Sequence, residues 1–178
     1  MKITLIYIFF CFVVNFIYRN FLIFYMENAN SFLRDWAVRF LENKDSVRKE
    51  IIKIEKDAED SDFVVNYKDK VNYFFIRLQI DSGIFAKIIA DRNYGIFALN
   101  NMSNIRFVAS EWKTLSDFKF LSIYFSNPFS SMDKVWTINP HIHNKICDLS
   151  SLELGLRAMA ELVVPIGIGE FRSNVKLN

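Results

Sequence analysis

The sequence predicts an α+β domain: an antiparallel sheet of about four to six strands, with helices ahead of it and one helix behind it. Three observations carry this. A wide apolar stripe at helical spacing opens the polar part of the chain near residue 32. Between residues 63 and 138, runs of β-branched and aromatic residues alternate with turn-forming segments. Near residue 151 a capped helical pattern begins, and it stops at a proline. At 178 residues the chain can bury a core without metal or disulfides. Five Gly and three Pro exclude collagenous and Pro/Gly-rich disordered classes, and two Cys exclude a disulfide scaffold or a four-Cys zinc site.

Residues 1–26 differ from the rest. Ile3 to Tyr18 is almost continuously apolar, Arg19-Asn20 interrupts, and Phe21 to Met26 is apolar again. The segment contains no Ala, Gly or Ser, so a small-residue signal cleavage site is not expected. Two readings stay open. It is a membrane anchor with Arg19 snorkelling near one end, or it is translation from an upstream start ahead of Met26. Nineteen of the 26 residues are Phe, Ile, Tyr, Asn, Lys or Met, types that A/T-rich codons encode, which suits the second. The first reading expects a single-pass membrane-anchored protein, the second a cytoplasmic one. Lys2 and Arg19 account for the whole formal net charge of +2, so residues 27–178 are balanced and give no charge footprint for nucleic-acid binding.

Residues 27–178 read as a single α+β domain. A first helix is expected over Ser31–Asn43, because Phe32, Trp36 and Phe40 recur every four residues beside Leu33, Ala37 and Leu41. Asn30 or Ser31 would cap it. Val47, Ile51 and Ile54 predict a second helix over Ser46–Glu59. Phe63–Lys68 and Val71–Ile80 flank Asp69-Lys70 as a hairpin. In its second strand Phe74, Ile76, Leu78 and Ile80 alternate with Tyr73, Phe75, Arg77 and Gln79. Gly83–Ala90 fits helix or strand. Tyr94–Leu99 and Ile105–Ala109 read as a strand pair around Asn100-Asn101-Met102-Ser103. Phe118–Phe125 and Val135–Ile138 are further strands. The last helix is expected over Ser151–Val164, with Ser150 and Glu153 as a capping box and Leu152, Leu156, Met159 and Val163 as its apolar face. Pro165 ends it, and the tail Gly167–Asn178 is expected to be loosely held.

Cofactor motifs are missing. There is no Gly-rich phosphate loop, no His-Glu-x-x-His helix and no Gly-x-Ser-x-Gly elbow, so no cofactor is expected. Trp36 and Trp112 are read as core residues. One cluster stands out. The only two His, His141 and His143, and the only Cys beyond residue 26, Cys147, fall within ten residues between a strand and the final helix. Helix-start N–H groups favour a thiolate, and an imidazole can take its proton, so these residues suit nucleophilic chemistry. His-x-His-x3-Cys is not a recurring zinc spacing, so no metal site is expected.

The order of these segments resembles the ubiquitin-conjugating enzymes, in particular their divergent prokaryotic relatives. The resemblance covers residues 118–165. Phe118–Phe125, the turn Asn127-Pro128-Phe129, Lys134-Val135-Trp136, Asn139-Pro140-His141-Ile142, then Lys145-Ile146-Cys147 and the helix to Pro165 follow the family's order of strand, proline turn, strand, His-Pro-Asn, Cys and helix. The helix expected over Ser46–Glu59 would match its N-terminal helix. The pattern departs from the family where His141 and Asn139 exchange places, where no Gly precedes the Cys and where Asp148 follows it. The resemblance implies Cys147 as a thioester-forming nucleophile, His141 as an oxyanion donor and His143 as a proton carrier. The residues themselves favour a protein-interaction or structural module with no chemistry of its own, with another protein as the expected partner. The Cys-dependent acyl carrier is the alternative.

Overall fold

The structure is a computed structural model that describes residues 28–177 apart from 57 and 59. The apolar segment 1–26 therefore lies outside the described residues. Among those described, no helix is long and apolar enough to cross a membrane.

The α+β class is as expected. A six-stranded sheet has the order β1 (Ile51–Lys56), β2 (Phe63–Tyr67), β3 (Val71–Arg77), β4 (Asn93–Leu99), β5 (Leu121–Ser126) and β6 (Val135–Ile138). Its pairing is mixed rather than wholly antiparallel. β1–β2, β2–β3 and β5–β6 are antiparallel, while β3–β4 and β4–β5 are parallel. Parallel neighbours need crossovers. A 3-10 turn (Ser82–Lys87) lies in the first, within the stretch that fitted either helix or strand. Helices α2 (Met102–Ser110) and α3 (Trp112–Asp117) form the second.

The expected strand Ile105–Ala109 is thus part of α2. The Asn101 side chain accepts from the Asn104 N–H at 2.9 Å and caps the helix start. Ile105, Val108, Trp112 and Leu115 then fall on one buried face. The tight turn expected at residues 100–103 is instead a strand end and a helix start.

The expected helix Ser46–Glu59 is a turn followed by β1. Lys49 adopts a left-handed φ of 52°, which no continuing helix allows. The Asp45 carboxylate accepts from the N–H groups of Glu50 and Ile51 at 3.0 and 2.8 Å and fixes the entry to the strand. Ile51 and Ile54 mimic helical spacing because the register shifts between Ile51 and Lys53. An inserted residue restores both isoleucines to the inward face.

Helices cover both faces of the sheet. On one, Phe75, Ile96, Ile123 and Trp136 pack beneath α2, α3 and α5 (Leu152–Ala160). On the other, Phe63, Phe74, Phe97 and Leu99 pack beneath helix α1, residues 28–45, and α6 (Ile168–Leu177). Leu33, Ala37 and Leu41 are the buried stripe of α1, while Trp36 and Phe40 stack on each other at 5.5 Å and meet the Phe97 ring edge-on. The tail expected to be loose forms α6, because Phe171 and Val175, one turn apart, are buried against α1 and Phe129.

Polar ties at the C-terminal ends of the parallel strands position the last helices. Asn100 donates to the Ala160 and Val163 carbonyls at 2.8 and 2.5 Å and accepts from Trp136 Nε1 at 2.9 Å. Asn127 donates to the Val164 carbonyl at 2.9 Å. The carbonyls of Ala160, Val163 and Val164 at and just past the end of α5 thereby each find a side-chain donor.

Candidate functional site

The His–Cys cluster sits on a short helix, α4 (Pro140–His143), directly after the edge strand β6. Asn139 caps it by accepting from the Ile142 N–H at 2.9 Å, and Pro140 occupies its first turn, where a missing N–H costs nothing. The chain continues as a tight turn, with the Cys147 N–H bonded to the His143 carbonyl at 2.8 Å. Trp112 is buried, and its Nε1 donates to Asn144 Oδ1 at 2.9 Å, pinning this turn to α3.

Both imidazoles are held by Nδ1. That atom of His141 lies 2.8 Å from the Ser116 carbonyl, and that of His143 lies 2.7 Å from the Asn139 carbonyl. A carbonyl only accepts, so the contact to Ser116 suits a proton on the His141 Nδ1, whereas the His143 Nδ1 also lies 3.3 Å from the Asn139 N–H, which donates to it in the other tautomer.

The structure separates the two histidines. Cys147 and His143 line a cavity of about 300 Å³ between β6 and α5, walled by Trp136, Ile138, Leu152 and Leu156. His141 lines a different cavity, of about 460 Å³, at the opposite side of α4. Cys147 is solvent-exposed. Asp148 beside it is committed elsewhere. Its carboxylate accepts from the Ser150 N–H at 2.9 Å and the Ser150 hydroxyl at 2.7 Å, and those bonds hold its pKa below the usual carboxylate value. Among the described residues, no group of three His, Cys, Asp or Glu is placed to hold a metal ion.

The start of α5 departs from the expected capping box. The helix begins at Leu152, Ser151 makes no side-chain cap, and Asp148 instead caps the 3-10 turn Leu149–Ser151 ahead of it. Glu153 pairs with Arg157 at 2.6 Å, one turn along the exposed side. The helix ends at Ala160, four residues before the expected end.

The groove is more apolar than its exposure warrants. Met159, expected in the core, is 42% exposed on its rim. Elsewhere the chain from 142 to 164 leaves Ile142, Ile146, Leu149, Leu154, Leu162 and Val164 exposed, Ile146 by 75%, with Ile142 lining the opposite cavity. These seven are nearly half of the fifteen large apolar side chains exposed among the described residues. Single exposed apolar residues are ordinary, whereas a concave apolar cavity with an exposed apolar rim suits a contact surface. Gly155 forms part of the groove wall, and a Cβ added there would meet nothing within 4 Å.

A third cavity, of about 450 Å³, lies at the other face of the sheet and is lined by Tyr67 and Tyr124. Burial, with the nearby Tyr124, Asp45 and Glu50, pushes the Tyr67 phenol up to about 12 from 10.0, and burial raises Tyr124 as well. A raised pKa favours the neutral phenol in the folded state. Its stabilising contribution is therefore full below the ordinary value and is lost as pH rises through the folded one. Stability is expected to fall across pH 10 to 12, and Tyr67→Phe is expected to reduce that fall. Denaturant melts of the two proteins at matched alkaline pH check this.

No protein-family model, curated protein or solved structure matches this chain.

Proposed function

We propose that this domain is a protein-interaction module that seats an apolar segment of a partner in the groove between β6 and α5. One observation supports this reading above the rest: the cavity walled by Trp136, Ile138, Leu152 and Leu156 is concave and apolar, and Met159 on its rim is left exposed. Water against those side chains is unfavourable by roughly 25 cal/mol per Å² of apolar area, so covering them drives association. The occupant that fits is a short helix or strand with apolar anchors, in the manner of groove-binding peptides. A selection of displayed peptides against the full chain tests it. Winners rich in aromatic and aliphatic anchors that compete for one site are expected. Winners that ignore changes in the groove would refute it.

A second reading keeps the resemblance to the ubiquitin-conjugating enzymes, and its support is the exposed Cys147 on the same groove as His143. Here the Cys147 thiolate would displace the leaving group of an acyl donor and hold the acyl group as a thioester. The two readings part at one substitution. Cys147→Ser is expected to leave peptide binding unchanged if the groove only binds. It abolishes any covalent acyl adduct, seen by mass spectrometry, if the thiol is the carrier. In both, native Cys147 is expected to react with a maleimide without denaturant, read by peptide mapping.

A further inference from the structure

We propose that the occupant of the groove between β6 and α5 is an extended segment of a partner protein, which pairs with the free edge of β6 as an added strand. This rests on the docking reading above and names the form the partner takes. β6 is an edge strand, with β5 on one side and no strand on the other. Just ahead of it, the Asn127 N–H donates to the Lys134 carbonyl at 2.9 Å. Bonds across an antiparallel pair recur at every second residue. Trp136 and Ile138 therefore continue that set and bond toward β5, while the N–H and C=O groups of Val135 and Thr137 point outward. No turn, helix or side chain among the described residues bonds to those outward groups.

The groove presents this edge. Thr137 lines it together with Trp136 and Ile138, yet consecutive strand residues point to opposite faces. Trp136 and Ile138 belong to the core on the α5 side. Thr137 stands opposite Tyr124, which packs with the core on the α1 side. What Thr137 offers the groove is therefore its backbone. A strand added here would turn every second side chain to the same face as Trp136 and Ile138, into the apolar cavity.

The opposite edge of the sheet is shielded. β1 carries a bulge between Ile51 and Lys53, and three of its six residues are charged. Lys53 meets Glu55 at 2.6 Å, and Lys56 meets Asp35 at 2.8 Å. Bulges and edge charges keep an edge from pairing. Val135-Trp136-Thr137-Ile138 has no charge, no proline and an unbroken register. An open edge gives a bound strand its main-chain bonds, and the groove beside it receives alternate side chains. A helical occupant would satisfy its own backbone and leave the outward groups of Val135 and Thr137 to water.

The test is peptide display against the full chain with two libraries of the same composition. One carries apolar residues at every second position, the other at helical spacing. Winners from the alternating library, lost on Gly155→Arg, are expected. They are then titrated against Thr137→Pro, which replaces an outward N–H by the ring and leaves the bonds to β5 in place. Binding is expected to weaken about tenfold or more, while Thr137→Ala changes it by less than about twofold. N-methylation walked along the winning peptide gives the same reading on the native chain, with loss of binding expected at alternate residues. Melting curves confirm that each variant is folded. Winners from the helical library alone, a folded Thr137→Pro protein that binds unchanged, or N-methylation effects without alternation would overturn strand pairing and leave the groove as the docking site. No winner from either library, or winners indifferent to Gly155→Arg, would overturn both.

Discussion

Replacing Asn104 by alanine is expected to lower the unfolding free energy by about 3 kcal/mol. The side chain is fully buried at the start of α2 and makes three bonds to backbone. Its Nδ2 donates to the carbonyls of Leu78 and Leu99 at 3.0 and 2.8 Å, and its Oδ1 accepts from the Ile80 N–H at 2.8 Å. One amide thus joins the chain leaving β3, the end of β4 and the helix that follows. Alanine would leave the Leu78 carbonyl and the Ile80 N–H without partners, each costing about 1–3 kcal/mol, with water able to recover part of the loss, while the Leu99 carbonyl keeps the Asn101 N–H at 2.9 Å. Against a typical total of about 5–15 kcal/mol, this is a large fraction. Thermal unfolding checks it, and for a chain of this size the loss corresponds to a fall of roughly 6–12 °C. A change under about 1 kcal/mol would mean that the crossover is not held at this point.

The second large effect concerns the groove. Gly155→Arg is expected to weaken binding of a groove-selected peptide by about a hundredfold or more, as filling a binding pocket removes its anchor. The same change is not expected to harm the fold. An added Cβ meets nothing within 4 Å, and glycine inside a helix costs about 0.5–1 kcal/mol relative to alanine. Gly155→Ala serves as the control: it is expected to raise stability slightly and to leave binding nearly intact. Met159→Asp, on the rim, places a charge where the partner must be apolar and is expected to act in the same direction as the arginine. Peptide titration by fluorescence anisotropy, paired with melting curves, separates lost binding from lost folding.

How far the sequence announces this structure depends on how each element is held. The β2–β3 hairpin and β6 are legible because runs of β-branched and aromatic residues meet turn residues, and in β2 and β3 both faces are buried along Phe63–Val65 and Phe74–Ile76. β1 was misread because its bulge brings Ile51 and Ile54 to one face at a spacing that a helix also produces. The Ile105–Ala109 stretch was misread as a strand because it is short and apolar. The longer spacing through Val108, Trp112 and Leu115, behind the Asn101 cap, carried the helical signal. α6 was missed since only Phe171 and Val175 anchor an otherwise polar tail. Mistaking the second crossover also hid the parallel pairing.

The site divides in the same way. Cys147, His141 and His143 stand out because they are rare types close together; the two histidines lie on α4 and Cys147 on the turn that follows it. That they face two cavities was not legible, since Pro140 and the Asn139 cap set the helix phase only in three dimensions. The groove wall escaped for a similar reason. Met159 fits a core stripe by spacing, but β6 is short and lies at the sheet edge, so nothing covers that end of the stripe among the described residues. Gly155 carries no sequence signal, because its role comes from open space.

The most direct test of the docking groove is hydrogen exchange of the full chain with and without the tightest selected peptide. Slowed exchange confined to β6, the turn bearing Cys147 and helix α5 is the result expected, with no slowing in the Gly155→Arg protein. Protection centred on α1 and α6, or none above the unbound protein, would contradict the assignment of this groove as the binding surface.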